Sequence, residues 1–261
     1  MSAVVVNAGL VHYESFGRGS PILFLHGWLG SWRYWMPTME TLAVEHRVYA
    51  LDLWGFGDSD KSEKRFTMDQ YVSQVANFIE QLGIGEPVLV GHALGAGVAI
   101  EYAARYPHDV QKIVAVSLPL TPDSIDRRLL NFSSSSLLSR VFRWKPIPTK
   151  EVEVEAARAA ENAIPLSLKS FARLNLMERL LSLPCSILLV YGEKDDVVDP
   201  TPIRELNSDL PNIRYISLPG SRHFPMLDES NKFNRLLRDF ADREATLESL
   251  ELKEEWRRRI R

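Results

Sequence analysis

The sequence predicts an α/β protein built on a mostly parallel, eight-stranded sheet with helices on both faces. Short apolar runs flanked by turn residues alternate with longer stretches at helical spacing, the pattern of parallel strands joined by crossover helices. The runs are apolar at nearly every position, as strands covered on both faces are. A length of 261 residues with 45% hydrophobic and 25% charged residues suffices for a large core and excludes a disordered chain.

Taken in order, Val4 to Val6 and Val11 to Phe16 predict a hairpin around Asn7 to Gly9. Ile22 to Leu25, Val48 to Leu51, Val88 to Val90, Ile113 to Ser117, Ile187 to Tyr191 and Tyr215 to Leu218 predict six further strands. Between them, Thr67 to Leu82 places Tyr71, Val75, Phe78, Ile79 and Leu82 on one helical face, and Thr67 with Gln70 has capping-box spacing. Gly95 to Tyr106 reads as a helix stopped by Pro107, and Asn231 to Phe240 as one with Phe233, Leu236, Leu237 and Phe240 inward. From Pro119 to Leu183 the strand rhythm breaks for about 65 residues, too long for a structureless loop in a compact domain. This predicts a core of residues 1–118 and 184–261 with a partly helical lid inserted at 119–183.

Composition narrows the partners. Thirty-one Lys and Arg against 34 Asp and Glu give a net charge of −3, which carries no electrostatic footprint for nucleic acid. The single thiol, Cys185, excludes a disulfide framework and a thiolate metal site. Met1 to Gly9 lack the basic start and apolar run of a secretory signal, and no run of about 18 apolar residues exists, so a cytoplasmic protein is the expectation.

The strand Val88 to Val90 runs directly into Gly91-His92-Ala93-Leu94-Gly95-Ala96-Gly97 and then a helix. Small residues on either side of a central position let a helix pack close to the strand it follows, holding that position in a strained turn. Here the chain resembles the α/β-hydrolase fold family, and within it the esterase-like and lipase-like serine hydrolases, whose turn reads G-x-S-x-G; Ala93 stands where that family has serine. Other landmarks of the family follow in order. His26-Gly27-Trp28 ends a strand where the family places its first oxyanion donor, and Asp52 to Asp60 resembles its structural D-x-x-G-x-G-x-S-D turn. Gly192-Glu193-Lys194-Asp195 stands where the triad acid is carried, and Gly220 to Pro225 where the catalytic histidine is.

The resemblance implies a site of Ala93 (nucleophile position), Asp195 and His223, with the amides of Trp28 and Leu94 as oxyanion hole and Leu29 against the substrate. In an intact member His223 would take the nucleophile's proton and return it to the leaving group, while Asp195 would hold the imidazole tautomer. Ala93 has no hydroxyl to give. Asp196 and Asp199 are rival acids, disfavoured by their offset from Gly192. His26 and His92 sit inside backbone motifs and read as structural supports, and Asp58 and Asp60 as turn and cap groups. No cofactor and no metal are implied.

The partner expected is a small molecule with an apolar acyl or ring-bearing group, on a monomer or homodimer, and no firm membrane signal is present. Three functions compete: a serine hydrolase of esters or related carbonyl substrates whose nucleophile has been replaced, a small-molecule binding protein or receptor on the same scaffold, and a serine-independent enzyme such as the family's cofactor-free dioxygenases. Asp at the elbow, which epoxide hydrolases and haloalkane dehalogenases carry, is missing. Long-standing loss would erode Asp195, His223 and the oxyanion loop too, which favours a recent or deliberate replacement. In the lid, residues 127–150 carry six basic residues and no acidic one, with Phe132, Phe142 and Trp144 interleaved. This is a solvated basic face or a surface for anions. The tail Ala241 to Arg261, rich in helix formers with Leu247, Leu250, Trp256 and Ile260 as apolar contacts, is expected to continue as a surface helix.

Overall fold

Asn7 and Ala8 adopt φ of 46° and 58°, and this left-handed pair reverses the chain between β1 (Ser2–Val6) and β2 (Gly9–Phe16). Two successive positive φ values match the right-handed twist of the strands they join. The computed structural model describes residues 2–28, 30–126, 150–205, 210–247 and 250. β2 pairs antiparallel with β4 (His46–Leu51), and every later pairing is parallel: β4 with β3 (Ser20–Leu25), then β5 (Val88–His92), β6 (Lys112–Val116), β7 (Ser186–Gly192) and β8 (Ile213–Leu218). The sheet order is β1-β2-β4-β3-β5-β6-β7-β8. All eight strands expected from the apolar runs are present.

Alternation along each strand divides the core in two. Leu23, Leu25, Leu89, Ile113, Ala115, Ile187 and Leu189 face one side, where α2 (Met68–Gln81) and α3 (Leu94–Arg105) pack. Ile22, Phe24, Val88, Val90, Val114, Val116, Leu188 and Val190 face the other, against α1 (Met36–Leu42) and the helix Ser230–Ala241. Thr67 caps α2, its hydroxyl accepting from Gln70 N–H. Trp32–Trp35 forms a 3₁₀ turn leading into α1 that the sequence does not signal, because its aromatic residues show no 3.6-residue period.

Between β6 and β7 the described residues form α4 (Lys150–Ala157), α5 (Ala163–Phe171) and α6 (Leu176–Ser182). The segment is tied to the core: Ala160 N–H donates to Gly55 C=O at 2.7 Å, and Ser170 Oγ accepts from Met68 N–H at 3.0 Å. Arg33 and Arg158 each pair with both Asp58 and Glu155, closing a ring of four charges between α4, the 3₁₀ turn and the 52–60 turn. The basic stretch, apart from Lys150, lies outside the described residues.

α7 (Thr201–Arg204) lies between β7 and β8, and after β8 come α8 (Pro225–Asp228) and α9 (Ser230–Ala241). The last helix does not continue into the tail as expected: α9 ends at Ala241, and Asp242 turns to ψ 131°. The buried Lys112 Nζ of β6 donates to the carbonyls of Phe240, Asp242 and Ala245 at 3.1, 2.6 and 2.6 Å. Carbonyls at the end of a helix have no intrahelical donor, and a cation there satisfies them. Leu247 and Leu250 are buried against the α9 side of the core. Trp256 and Ile260 lie outside the described residues. Among the described residues no helix is long and apolar enough to cross a membrane.

Candidate active site

Four loops meet at the C-terminal ends of β3, β5, β7 and β8. The β5 loop is the sharpest. Ala93 has φ 47° and ψ −106°, and α3 begins at the next residue. A side chain in this conformation is strained by about 1–3 kcal/mol, a cost found where the surroundings force one position outward. The turn is possible because Gly91 and Gly95 lack side chains: a Cβ on Gly91 would collide with Gly95 and Ala96, and one on Gly95 with the carbonyl of Leu25. Leu94 opens α3, so its N–H is one of the helix's unpaired donors.

The β3 loop lies directly against this turn. A Cβ on Gly27 would sit 3.2 Å from Ala93 Cβ and 2.7 Å from His92 Nδ1. Trp28 follows, buried; Leu29 is outside the described residues. His26 faces away from the loop tip, accepting Leu53 N–H at Nε2 (2.9 Å) and donating from Nδ1 to Gly27 C=O (2.8 Å). Burial above all keeps it below the ordinary imidazole pKa, against the pull of Asp52.

The β7 and β8 loops bring Asp195 and His223 together. His223 Nδ1 donates to Asp195 Oδ2 at 3.0 Å, and Asp195 Oδ1 accepts the amides of Val197 (2.8 Å) and Val198 (3.1 Å). Burial alone would raise the Asp195 pKa. The charge and hydrogen bond of His223, with the two amides, outweigh it and hold the carboxyl below its usual range. The rival carboxylates go elsewhere: Asp199 caps Thr201 through its N–H and hydroxyl, and Asp196 is exposed. Gly192 carries no side chain because a Cβ there would strike the carbonyls of Ser221 and Arg222.

His92 ties its own β5 loop to the β3 and β8 loops, a role spacing alone does not reveal. Its Nε2 donates to the main-chain carbonyl of His223 (2.9 Å), which also accepts Ser117 Oγ (3.2 Å). A carbonyl only accepts, so Nε2 carries the proton and Nδ1 takes the Tyr34 hydroxyl proton (3.1 Å). The Tyr34 oxygen in turn accepts Gly27 N–H at 2.5 Å. Tyr34 is missed by sequence reasoning, since no periodicity links it to residue 92.

Of the other acidic residues, Asp60 Oδ1 closes a local turn with Ser62 N–H, while Asp58 pairs with Arg33 and Arg158. His12, Asp52 and Asp58 bring three donor atoms close together. Asp52 already accepts Trp32 N–H (2.8 Å), Asp58 N–H (2.9 Å) and His12 Nδ1 (3.1 Å). With two arginines on Asp58 as well, this donor set is that of a braced turn rather than of a cation site.

An imidazole hydrogen-bonded to a carboxylate, beside a strained turn and an unpaired helix amide, is chemically able to move a proton at a carbonyl. Comparisons agree with this architecture. A family model described as the alpha/beta hydrolase fold matches residues 20–146. The chain is 27% identical over 254 residues to the pimeloyl-(acyl-carrier protein) methyl ester esterase of Vibrio campbellii, covering 88% of this chain and 98% of that one. It superposes on the enol-lactonase from Burkholderia xenovorans LB400 with a TM-score of 0.81 at 19% identity, covering 92% of this chain and 99% of that one. An esterase from Exiguobacterium antarcticum gives 0.81 at 20% identity, with 92% and 98% covered. Family match and superposition lead to one conclusion: this chain has the α/β-hydrolase fold.

Proposed function

We propose that this chain is an ester-hydrolase scaffold for small carbonyl substrates in which Ala93 occupies the nucleophile position, so that it binds its substrate but forms no acyl-enzyme. The observation that carries this reading is the strained Ala93 turn beside an intact Asp195–His223 pair. A methyl group needs neither the strain nor the base. A serine oxygen there would need both, and without it the covalent step has no attacking atom. Trp28 and Leu94 supply the oxyanion amides, and the described part of the expected lid, residues 150–183, covers the site. Activities of similar proteins, on a methyl ester and an enol-lactone, support a small ester or lactone as the substrate class.

The test is hydrolysis of a panel of p-nitrophenyl esters by the chain with Ala93, by Ala93→Ser, and by Ala93→Ser combined with His223→Ala. Activity is expected in Ala93→Ser alone, falling by several orders of magnitude when His223 is removed. A panel untouched by Ala93→Ser overturns the hydrolase reading and leaves a binding protein.

A further inference from the structure

We propose that Ser167 and Phe171 of α5 set the position of Trp28, and are positioning residues for carbonyl chemistry in this site. The proposal rests on the reading of the Trp28 amide as an oxyanion donor. Such a donor works only when held at hydrogen-bonding distance from where the charge develops.

The loop after β3 is anchored on its inner side through Gly27, whose N–H is held by Tyr34. Trp28 itself is anchored through its side chain, from a helix 139 residues further along. The buried indole Nε1–H donates to Ser167 Oγ at 3.0 Å. Ser167, with no exposed surface, sends its own proton back into α5, to the carbonyls of Ala163 (2.5 Å) and Ile164 (3.0 Å). The helix therefore fixes the direction in which the hydroxyl oxygen accepts.

Phe171, one turn on and on the same face, packs its ring edge-to-face against the indole, centroids 5.1 Å apart at 67°. It also lies against Gly97 so closely that a Cβ there would collide with its ring. Gly97 sits on α3, and its N–H binds the carbonyl of Ala93. One aromatic ring thus touches both Trp28 and the helix that carries the Ala93 turn. The anchor of α5 on Met68 through Ser170, and that of Ala160 just ahead of the helix on Gly55, keep this clasp from swivelling. Moving α5 moves Trp28.

The experiment introduces Ser167→Ala, Trp28→Phe and the double change into the Ala93→Ser chain and measures kcat and KM for p-nitrophenyl acetate. Trp28→Phe keeps an aromatic ring and deletes the indole N–H. Each single change is expected to lower kcat by about tenfold to a hundredfold with KM within about twofold, since the interaction serves the transition state. The double is expected to be no worse than the poorer single, because both remove the same bond. Unchanged kcat, or losses that multiply in the double, overturns the proposal. Should Ala93→Ser hydrolyse nothing, the ester-hydrolase reading fails, and amide NMR of the chain with Ala93 decides this one. Ser167→Ala must shift the Trp28 main-chain amide and speed exchange of its indole proton with the sheet amides unmoved. A stationary Trp28 amide overturns it.

Discussion

His92 donates through Nε2 to the main-chain carbonyl of His223 at 2.9 Å, so the residue before the strained turn braces the loop that carries His223. The brace needs a neutral His92, with one nitrogen donating and the other accepting from Tyr34. Burial first, then the charge of nearby His223, holds its pKa well below the ordinary 6.5, against the pull of Asp195. Tyr34 stays neutral, burial pushing its hydroxyl well above the usual range.

This gives stability a pH dependence of defined sign. Below about pH 6.5 an unfolded His92 takes up a proton that the folded protein refuses. The unfolded state then binds more protons, so stability is full above that pH and falls as pH drops toward the folded pKa. His26, also lowered, adds in the same direction. Urea unfolding from pH 7.5 to 5 is expected to show a decline approaching about 1.4 kcal/mol per pH unit for each histidine. His92→Gln, which can still donate to one side and accept from the other, is expected to remove one histidine's share; an unchanged slope contradicts the assignment.

Ala93 stores strain that no side-chain hydrogen bond offsets. Ala93→Gly is expected to stabilise the chain by about 1 kcal/mol, the relieved φ of 47° outweighing the greater flexibility of glycine when unfolded. The check is the urea midpoint. A loss of stability would mean the turn is relaxed as it stands.

Lys112 holds the end of α9 through three carbonyls. Lys112→Met keeps much of the aliphatic stem and leaves those acceptors unpaired, at an expected cost of about 2 kcal/mol. Hydrogen exchange should localise the loosening to the end of α9 and the turn at 242–247.

The ring of Arg33, Asp58, Arg158 and Glu155 joins α4 to the core while three of its members remain about a third exposed. Solvent screening limits its worth to about 1 kcal/mol. Raising NaCl to 1 M, where the screening length falls to about 3 Å, or Asp58→Asn, is expected to speed amide exchange in α4 and leave the β5 amides unchanged. Equal speeding in both would mean general destabilisation rather than release of α4.

The order of strands and helices was legible because side-chain periodicity is local: the apolar runs that predict β5 and β6 are the segments buried on both faces. The Gly91 to Gly97 spacing was legible because it lies within one strand–turn–helix segment, although only Gly91 packs against that turn itself, Gly95 making room for Leu25 and Gly97 for Phe171. The end of α9 was not. Its sequence continues in good helix formers, and the lysine that takes its carbonyls lies some 130 residues earlier in the chain.

The sequence by itself determined the sheet, the strained turn and the lack of a hydroxyl at Ala93, because composition and neighbouring residues decide these. Only the tertiary structure decided how closely Asp195 meets His223, which partners His92 braces, and that Ser167 reaches Trp28. Those pairings span 28 to 139 residues and depend on how the β7 and β8 loops and α5 return to the ends of β3 and β5. A hydrogen bond responds to displacements of a few tenths of an ångström, and packing of the whole core sets distances to that tolerance.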